Sequence, residues 1–362
     1  MIKNCSRGEP EVVSTEKADR KLFRSANLPA AALHFPLSKF RNFRTPAPQF
    51  FMTYCLIFRF YIIFFYYSYL YNHHRYGMIK TVKRRSFCPT EIIFACTSGC
   101  NLRCAHCFVD RNPRKLEIEQ ALALLDNCVA VGSPIERVGF SGGEPFLYMD
   151  FLLEVSRAVV SHDLLFDQIM TNGDWWKDEQ ELRNTLQSLY DAGYDGKIGL
   201  SWDKYHGQTN ERMNIFINTV QSIFGDDSVN IQKVIDSRVK PENDIVYSVP
   251  VYSLPRTYPG DDPRAWQARK WFKEDFCEGP GNILYVHSDG NIAPCCGFAN
   301  ENPELFIGKI TDSFETIMEN ARTNKMVQLC FTKGLSRYRR FKKFPGKTSD
   351  ICSFCDYVCR HQ

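Results

Sequence analysis

The sequence predicts an α/β fold built on a parallel sheet, followed by a small cysteine-rich C-terminal unit. Three observations predict it. Strand-like and helix-like segments alternate from residue 91 to about 255, which implies parallel strands joined by right-handed crossovers, in an open sheet or a TIM-like barrel. Polar and glycine-rich residues stand just after the strands, where such barrels carry their active face. The cysteines fall in tight sets rather than being spread along the chain.

The elements follow in order. "EIIFAC" (Glu91–Cys96) is a short β-rich run. Leu116–Gly132 carries apolar residues at helical spacing and stops at a glycine. "RVGFSGG" is a strand with a Gly-rich turn, and Met149–Asp163 is helical. "LFDQIMTNG" is a strand with a turn, and Asp178–Gly193 is a helix with Gly193 placed as its C-terminal cap. "KIGLSWD" is a strand, Thr209–Gly225 a helix, and "DIVYSVPVY" (Asp244–Tyr252) a further strand.

The chain has 362 residues, 44% of them hydrophobic and 24% charged. That is enough for one large domain and a smaller one. The formal net charge of +4 is mild. It gives no argument for nucleic acid, which needs positive charge gathered on one face. Fifteen cysteines in clusters favour metal ligation over a disulfide framework, and so a reducing compartment, the cytoplasm.

Residues 1–77 differ from the rest. Residues 1–48 are polar and basic, and Phe50–Tyr71 is an apolar, aromatic-rich run of the roughly 20 residues that a bilayer span needs. Arg59 lies near its middle, at an insertion cost of about 2.5–3.5 kcal/mol. The segment reads as a membrane anchor, a poorly structured extension, or translated upstream sequence with the native start at Met78. The last is carried forward, because all the readable chemistry follows Met78. Segment 50–71 remains the one route to a membrane.

"CTSGCNLRCAHC" places four cysteines and a histidine between Cys96 and Cys107. A disulfide knot, a zinc site and an iron–sulfur site are the open chemistries. Cys100, Cys104 and Cys107 form C-x3-C-x2-C. Zinc wants four ligands, and His106 is poorly placed to join its neighbour around one tetrahedral ion. Three thiolates in one loop leave one corner of a cube-shaped iron–sulfur cluster unligated.

C-x3-C-x2-C after a first strand, with Gly142-Gly143-Glu144-Pro145 after the second, resembles the radical S-adenosylmethionine superfamily. The resemblance implies a partial (β/α)6 TIM-like barrel over residues 78–255. It implies that Cys100, Cys104 and Cys107 hold a [4Fe-4S] cluster whose open iron chelates S-adenosylmethionine. Reductive cleavage would then yield a 5′-deoxyadenosyl radical that abstracts a substrate hydrogen. By the same resemblance His106 lies near the adenine. Gly142, Gly143 and Glu144 contact the cofactor's amino group. Thr171, Asn172, Ser201 and Asp203 belong to later strand-end motifs, with Ser201 and Asp203 as candidates for ribose or carboxylate contacts. Turn-forming polar chemistry explains these residues equally well. Tyr205 and His206 are candidate hydrogen donor or base, against the plain alternative of loop residues. Cys96 reads as the buried end of the first strand.

The C-terminal set is Cys277, Cys295, Cys296, Cys330, Cys352, Cys355 and Cys359. Tyr285–His287 and Asn291–Ala293 flank a "SDG" turn, a hairpin signal. The pattern C-x12-G-x4-C, then C-x2-C, resembles the SPASM/twitch extensions of radical enzymes, over residues 256–362. It implies an auxiliary [4Fe-4S] cluster on Cys277, Cys295, Cys352 and Cys355, with Cys296 or Cys359 as substitutes. A zinc ribbon is the competing structure. The basic run Lys333–Lys347 reads as a solvated loop.

Three functions follow. The first is radical modification of a peptide or protein, fed by an electron donor such as flavodoxin or ferredoxin. The second is dehydrogenation of a small molecule such as an aminocyclitol. The third is a non-catalytic zinc- or cluster-binding module.

Overall fold

The computed structural model describes residues 86–109, 112–236 and 248–361. The N-terminal extension, with segment 50–71 and Met78, lies outside the described residues. Among the described residues no helix is long and apolar enough to cross a membrane.

Nine strands of the described residues form one sheet. The first six are β1 (Glu91–Thr97), β2 (Arg137–Gly142), β3 (Leu165–Thr171), β4 (Lys197–Ser201), β5 (Val229–Ile235) and β6 (Val251–Pro255). Each pairs in parallel with the next. The crossovers are α1 (Ile118–Ala130), α2 (Met149–Ser161), α3 (Glu179–Asp191) and α4 (Asn210–Phe224). Consecutive helices pack side by side. Four helical crossovers join the first five strands, in the order a partial α/β barrel takes; the connection from β5 to β6 runs through residues 237–247, outside the described residues.

Local chemistry sets the helix ends. Asp178 accepts the backbone N–H of Glu181 and Thr209 accepts that of Arg212, capping α3 and α4. Leu182, Leu186 and Leu189 of α3 fall on one buried stripe. Phe151 of α2 meets Phe94 of β1 edge-on at 5.7 Å and Phe140 of β2 at 6.4 Å. Each such buried ring contributes roughly 1.5–3 kcal/mol. β1 and β4 are largely apolar and buried, whereas β3 carries Asp167 and Gln168, and β5 carries Asn230, Gln232 and Lys233, among their apolar residues.

Two differences from the sequence reading concern the far strands. β5 had no counterpart in it, because "VNIQKVI" directly follows α4 and mixes polar with apolar residues. β6 lies several residues later than Asp244–Tyr252, of which residues 244–247 lie outside the described residues.

The other side of β1 is taken by the C-terminal part. β7 (Gly281–Val286) runs parallel to β1, with Ile92, Ile93 and Phe94 opposite Leu284, Tyr285 and Val286. β7 turns through residues 287–290 into antiparallel β8 (Asn291–Cys295), and short β9 (Gly308–Lys309) ends the sheet. The predicted hairpin is therefore present, joined directly to the barrel sheet. Of the later helices, α5 (Phe314–Thr323) docks on α1, where Asn127 accepts the N–H of Phe314 at 2.7 Å. Short α6 (Lys325–Gln328) and α7 (Leu335–Tyr338) lead to α8 (Ile351–Arg360).

Candidate active site and cysteine centres

Cys100, Cys104 and Cys107 lie in the loop that leaves the C-terminal end of β1. Cys100 and Cys107 are exposed and Cys104 is half-buried. Cys96 is fully buried and hydrogen-bonds the Ser141 carbonyl; burial pushes its thiol far up. The strand end and the loop thiols are thus separate groups. Burial, and then their mutual charge, pushes Cys104 up to about 11. Ligation there must displace protons.

Glycines hold the loop against the next strand. Gly143 donates to the Thr97 carbonyl at 2.7 Å and Glu144 to the Gly99 carbonyl at 2.8 Å. A Cβ at Gly142 would lie 2.3 Å from the Thr97 oxygen, and one at Gly143 would lie 2.2 Å from the Gly99 oxygen. The "GG" of the second strand end is therefore required by backbone contact with the cysteine loop.

Glu144 is fully buried. Its carboxylate accepts the Thr171 hydroxyl at 2.7 Å, the Asn172 N–H at 2.8 Å and the Phe146 N–H at 3.2 Å. Burial nevertheless wins, and its carboxyl is raised to about 7. Glu144 organises this network rather than facing open space. Thr171 and Asn172 are buried too. Asn172 donates to Asn101 Oδ1 at 2.9 Å and points the same amide at Cys100 Sγ, 3.7 Å away. The Leu102 N–H also faces Cys100 Sγ, at 3.4 Å. Amide donors aimed at a sulfur are suited to a thiolate.

The strand-end residues of β4 complete the site. Ser201 is half-buried, and its carbonyl accepts Gln208 Nε2 at 2.8 Å. Asp203 accepts His206 Nδ1 at 2.8 Å, the Tyr205 N–H at 2.9 Å and the Val234 N–H at 3.0 Å. Burial opposes its charge, but the His206 contact and these N–H groups outweigh that and hold its carboxyl below the usual range. The His106 ring lies 5.2 Å from both the Tyr205 and His206 rings. Burial, with His206 beside it, lowers the His106 imidazole. Its Nδ1 is buried without a hydrogen-bond partner. Arg256, just beyond β6, sits 4.8 Å over the Tyr205 ring and 3.4 Å from its hydroxyl.

The second set gathers at the base of the hairpin. Cys277, Cys295, Cys330, Cys352 and Cys355 line one small cavity. Cys352, Cys355 and Cys359 stand at i, i+3 and i+7 of α8, hence on one helical face. Neighbouring residues fix that helix: Ser353 donates to the Tyr258 carbonyl at 2.7 Å, and Asp356 accepts the Gly260 N–H at 2.6 Å. Gly297 leaves room for Cys352, whose Sγ would lie 2.8 Å from a Cβ there. Burial pushes Cys295 up to about 12 and the Cys277 and Cys352 thiols far above their ordinary range.

Cys330 is the residue that sequence spacing passed over. It belongs to no C-x2-C pair, yet its Sγ lies 3.7 Å from that of Cys355. Cys296 is exposed, and neither it nor Cys359 lines the cavity. Among the described residues no three potential ligands stand close enough to hold a single metal ion.

Comparison with known proteins follows the two cysteine sets. The model of the radical SAM superfamily matches residues 94–224. The iron–sulfur cluster-binding SPASM domain matches residues 277–356. YydG of Bacillus subtilis (strain 168), provisionally named a peptide biosynthesis protein, is 24% identical over 71% of this chain and 88% of its own. The GTP 3′,8-cyclase of Chlorobaculum tepidum is 32% identical over 30% of this chain and 31% of its own. Among solved structures, anSMEcpe with bound AdoMet and a peptide has a TM-score of 0.49 at 16% identity, covering 75% of this chain and 96% of that one. Family cofactors are a [4Fe-4S] cluster with S-adenosylmethionine, and auxiliary iron–sulfur in the SPASM part. The chain is a radical SAM enzyme with a C-terminal SPASM domain.

Proposed function

We propose that this enzyme modifies a peptide by radical chemistry, with Cys100, Cys104 and Cys107 holding the [4Fe-4S] cluster that binds S-adenosylmethionine. The observation that carries the reading is the three-thiol loop, seated on the Gly142–Gly143 turn and faced by the Asn172 amide. When bound, the cluster and S-adenosylmethionine supply a 5′-deoxyadenosyl radical able to abstract a substrate hydrogen. The protein's part is to bind, orient and exclude water. Glu144 fixes Thr171 and Asn172, and Asn172 fixes Cys100. Ser201 and His106, both partly accessible, are the groups available to the nucleoside. The unpaired Nδ1 of His106 has one hydrogen bond still to make. Asp203 holds the His206 ring, so that its Nε2 is the free end. We assign Tyr205 and His206 to the substrate side.

Peptide is preferred over small molecule because the relative matched over most of its length carries a peptide-biosynthesis name. Cys277, Cys295, Cys352 and Cys355 are proposed to hold an auxiliary cluster, with Cys330 as a competing ligand. A reducing protein such as flavodoxin or ferredoxin would supply the electron.

The test is anaerobic reconstitution, metal analysis and reductive turnover, with a search beside the gene for a short reading frame whose peptide is supplied as substrate. About eight irons per chain, 5′-deoxyadenosine and a peptide mass change are expected. Stoichiometric zinc with negligible iron, or full iron without 5′-deoxyadenosine, would overturn the reading.

A further inference from the structure

We propose that the free edge of β6 is the docking rail for the peptide substrate, which adds to the sheet as a further strand. This rests on the peptide reading above. The pairing pattern carries it. The Ile231 N–H bonds the Pro250 carbonyl at 2.8 Å, and the Arg256 N–H bonds the Ile235 carbonyl at 2.8 Å. Along a strand, backbone groups alternate between the two neighbours. Residues 250, 252, 254 and 256 therefore turn their backbone groups to β5. The N–H and carbonyl of Val251 and Ser253, and the carbonyl of Pro255, turn away. Pro255 occupies an outward position, where its missing N–H costs no ladder bond.

Among the described residues β6 ends the sheet order, and all five of its residues are exposed. Tyr252 is 55% exposed and Leu254 47%. Native proteins blunt free edges with charge or cover them. Residues 251–254 carry no charge, and proline, a further blunting device, stands only at the last position of the strand. Extended peptides bind such edges through main-chain hydrogen bonds, with alternate side chains setting preference. The strand also leads to the right place. Arg256 follows it immediately and lies over Tyr205, which packs on His106, next to Cys107. A peptide seated on β6 would be delivered to the mouth of the cysteine loop.

The probe is a library of random 12-residue linear peptides, selected by mRNA display on the anaerobically reconstituted full chain with S-adenosylmethionine. Enriched peptides are then titrated against wild type and Ser253→Pro, which deletes one outward donor without touching the β5 ladder. Weakening on the order of tenfold is expected. Amide exchange in wild type provides a variant-free measurement: the Val251 and Ser253 amides should slow at least tenfold when peptide binds. No enrichment, equal binding by a folded Ser253→Pro, or unchanged exchange would overturn the proposal. A concentration-dependent dimer that protects the same two amides would also overturn it, by giving the edge to a second copy. Peptide-free cleavage of S-adenosylmethionine is read separately. Its loss would count against the radical reading, while normal cleavage with unprotected β6 amides would count against the docking rail alone.

Discussion

Gly143→Ala tests the link between the Gly-Gly turn and the cysteine loop. The added Cβ would meet the Gly99 oxygen at 2.2 Å and the Ser98 oxygen at 2.7 Å, against ordinary contacts of 3.4–4 Å. Both obstacles are backbone, so no side chain can swing aside. The two segments must part by about 1 Å, which costs roughly 1–3 kcal/mol as overpacking. That movement also stretches the bonds from Gly143 to Thr97 and from Glu144 to Gly99, worth about 1 kcal/mol each. The total is about 3–5 kcal/mol, or a fall in melting temperature of roughly 6–20 °C at about 2–4 °C per kcal/mol. Gly132→Ala is the control: its φ is +60° and nothing lies within 4 Å of a Cβ, so it costs only about 1–2 kcal/mol of backbone strain. Anaerobic urea unfolding of both apo variants, followed by reconstitution and iron analysis, measures the difference. Gly143→Ala should lose about four of the roughly eight irons expected for two cubane clusters. If it unfolds within 1 kcal/mol of Gly132→Ala and keeps full iron, the turn does not hold the loop.

Cys104→Ala should abolish 5′-deoxyadenosine formation and remove about four irons, whereas Cys96→Val should keep both; iron analysis and chromatography of the nucleoside products decide it. In the auxiliary set, Cys330→Ala should lower iron in a background lacking the first cluster, while Cys296→Ala should not, because Cys330 lines the cavity and Cys296 does not. Glu144 gives a pH signature: burial raises its folded carboxyl from 4.5 to about 7, so the folded state holds the extra proton between those values. The stability from this group is complete below about 4.5 and is lost as pH rises through about 7, by about 3 kcal/mol. Urea midpoints of the apo protein from pH 4.5 to 8 should show that fall, and Glu144→Gln should flatten it.

The barrel strands that carry the site were legible because each is apolar and ends at a polar turn. β1 to β4 begin within a residue of where "EIIFAC", "RVGFSGG", "LFDQIMTNG" and "KIGLSWD" place them. β5 escaped because Asn230, Gln232 and Lys233 interrupt its apolar run and no glycine turn closes it, whereas β3, which also carries Asp167 and Gln168, ends at "TNG". The cysteine spacings are local and could be counted. Cys330 could not be found that way, since its approach to Cys355 is a tertiary contact across 25 residues. The task of Glu144 was hidden for a similar reason. A Gly-Gly-Glu-Pro string shows a turn and a charge, but only folding reveals that the charge points inward to Thr171 and Asn172. The pairing of Asp203 with His206 was within reach, as the two lie three residues apart after a strand.

The parallel pairing of β7 with β1 has a consequence for how such chains diversify. β1 is flanked by β2 on one side and by the C-terminal hairpin on the other, so the strand that launches the first cysteine loop also borders the strand that starts beside Cys277. The two cysteine sets are therefore attached to one continuous sheet, and cutting the chain after residue 255 would leave β1 with an open flank. A C-terminal part exchanged between relatives would have to match the strand register of Ile92 to Leu284 as well as the cysteine count. In this architecture the auxiliary part is itself a piece of the barrel wall, because β7 continues the sheet beyond β1.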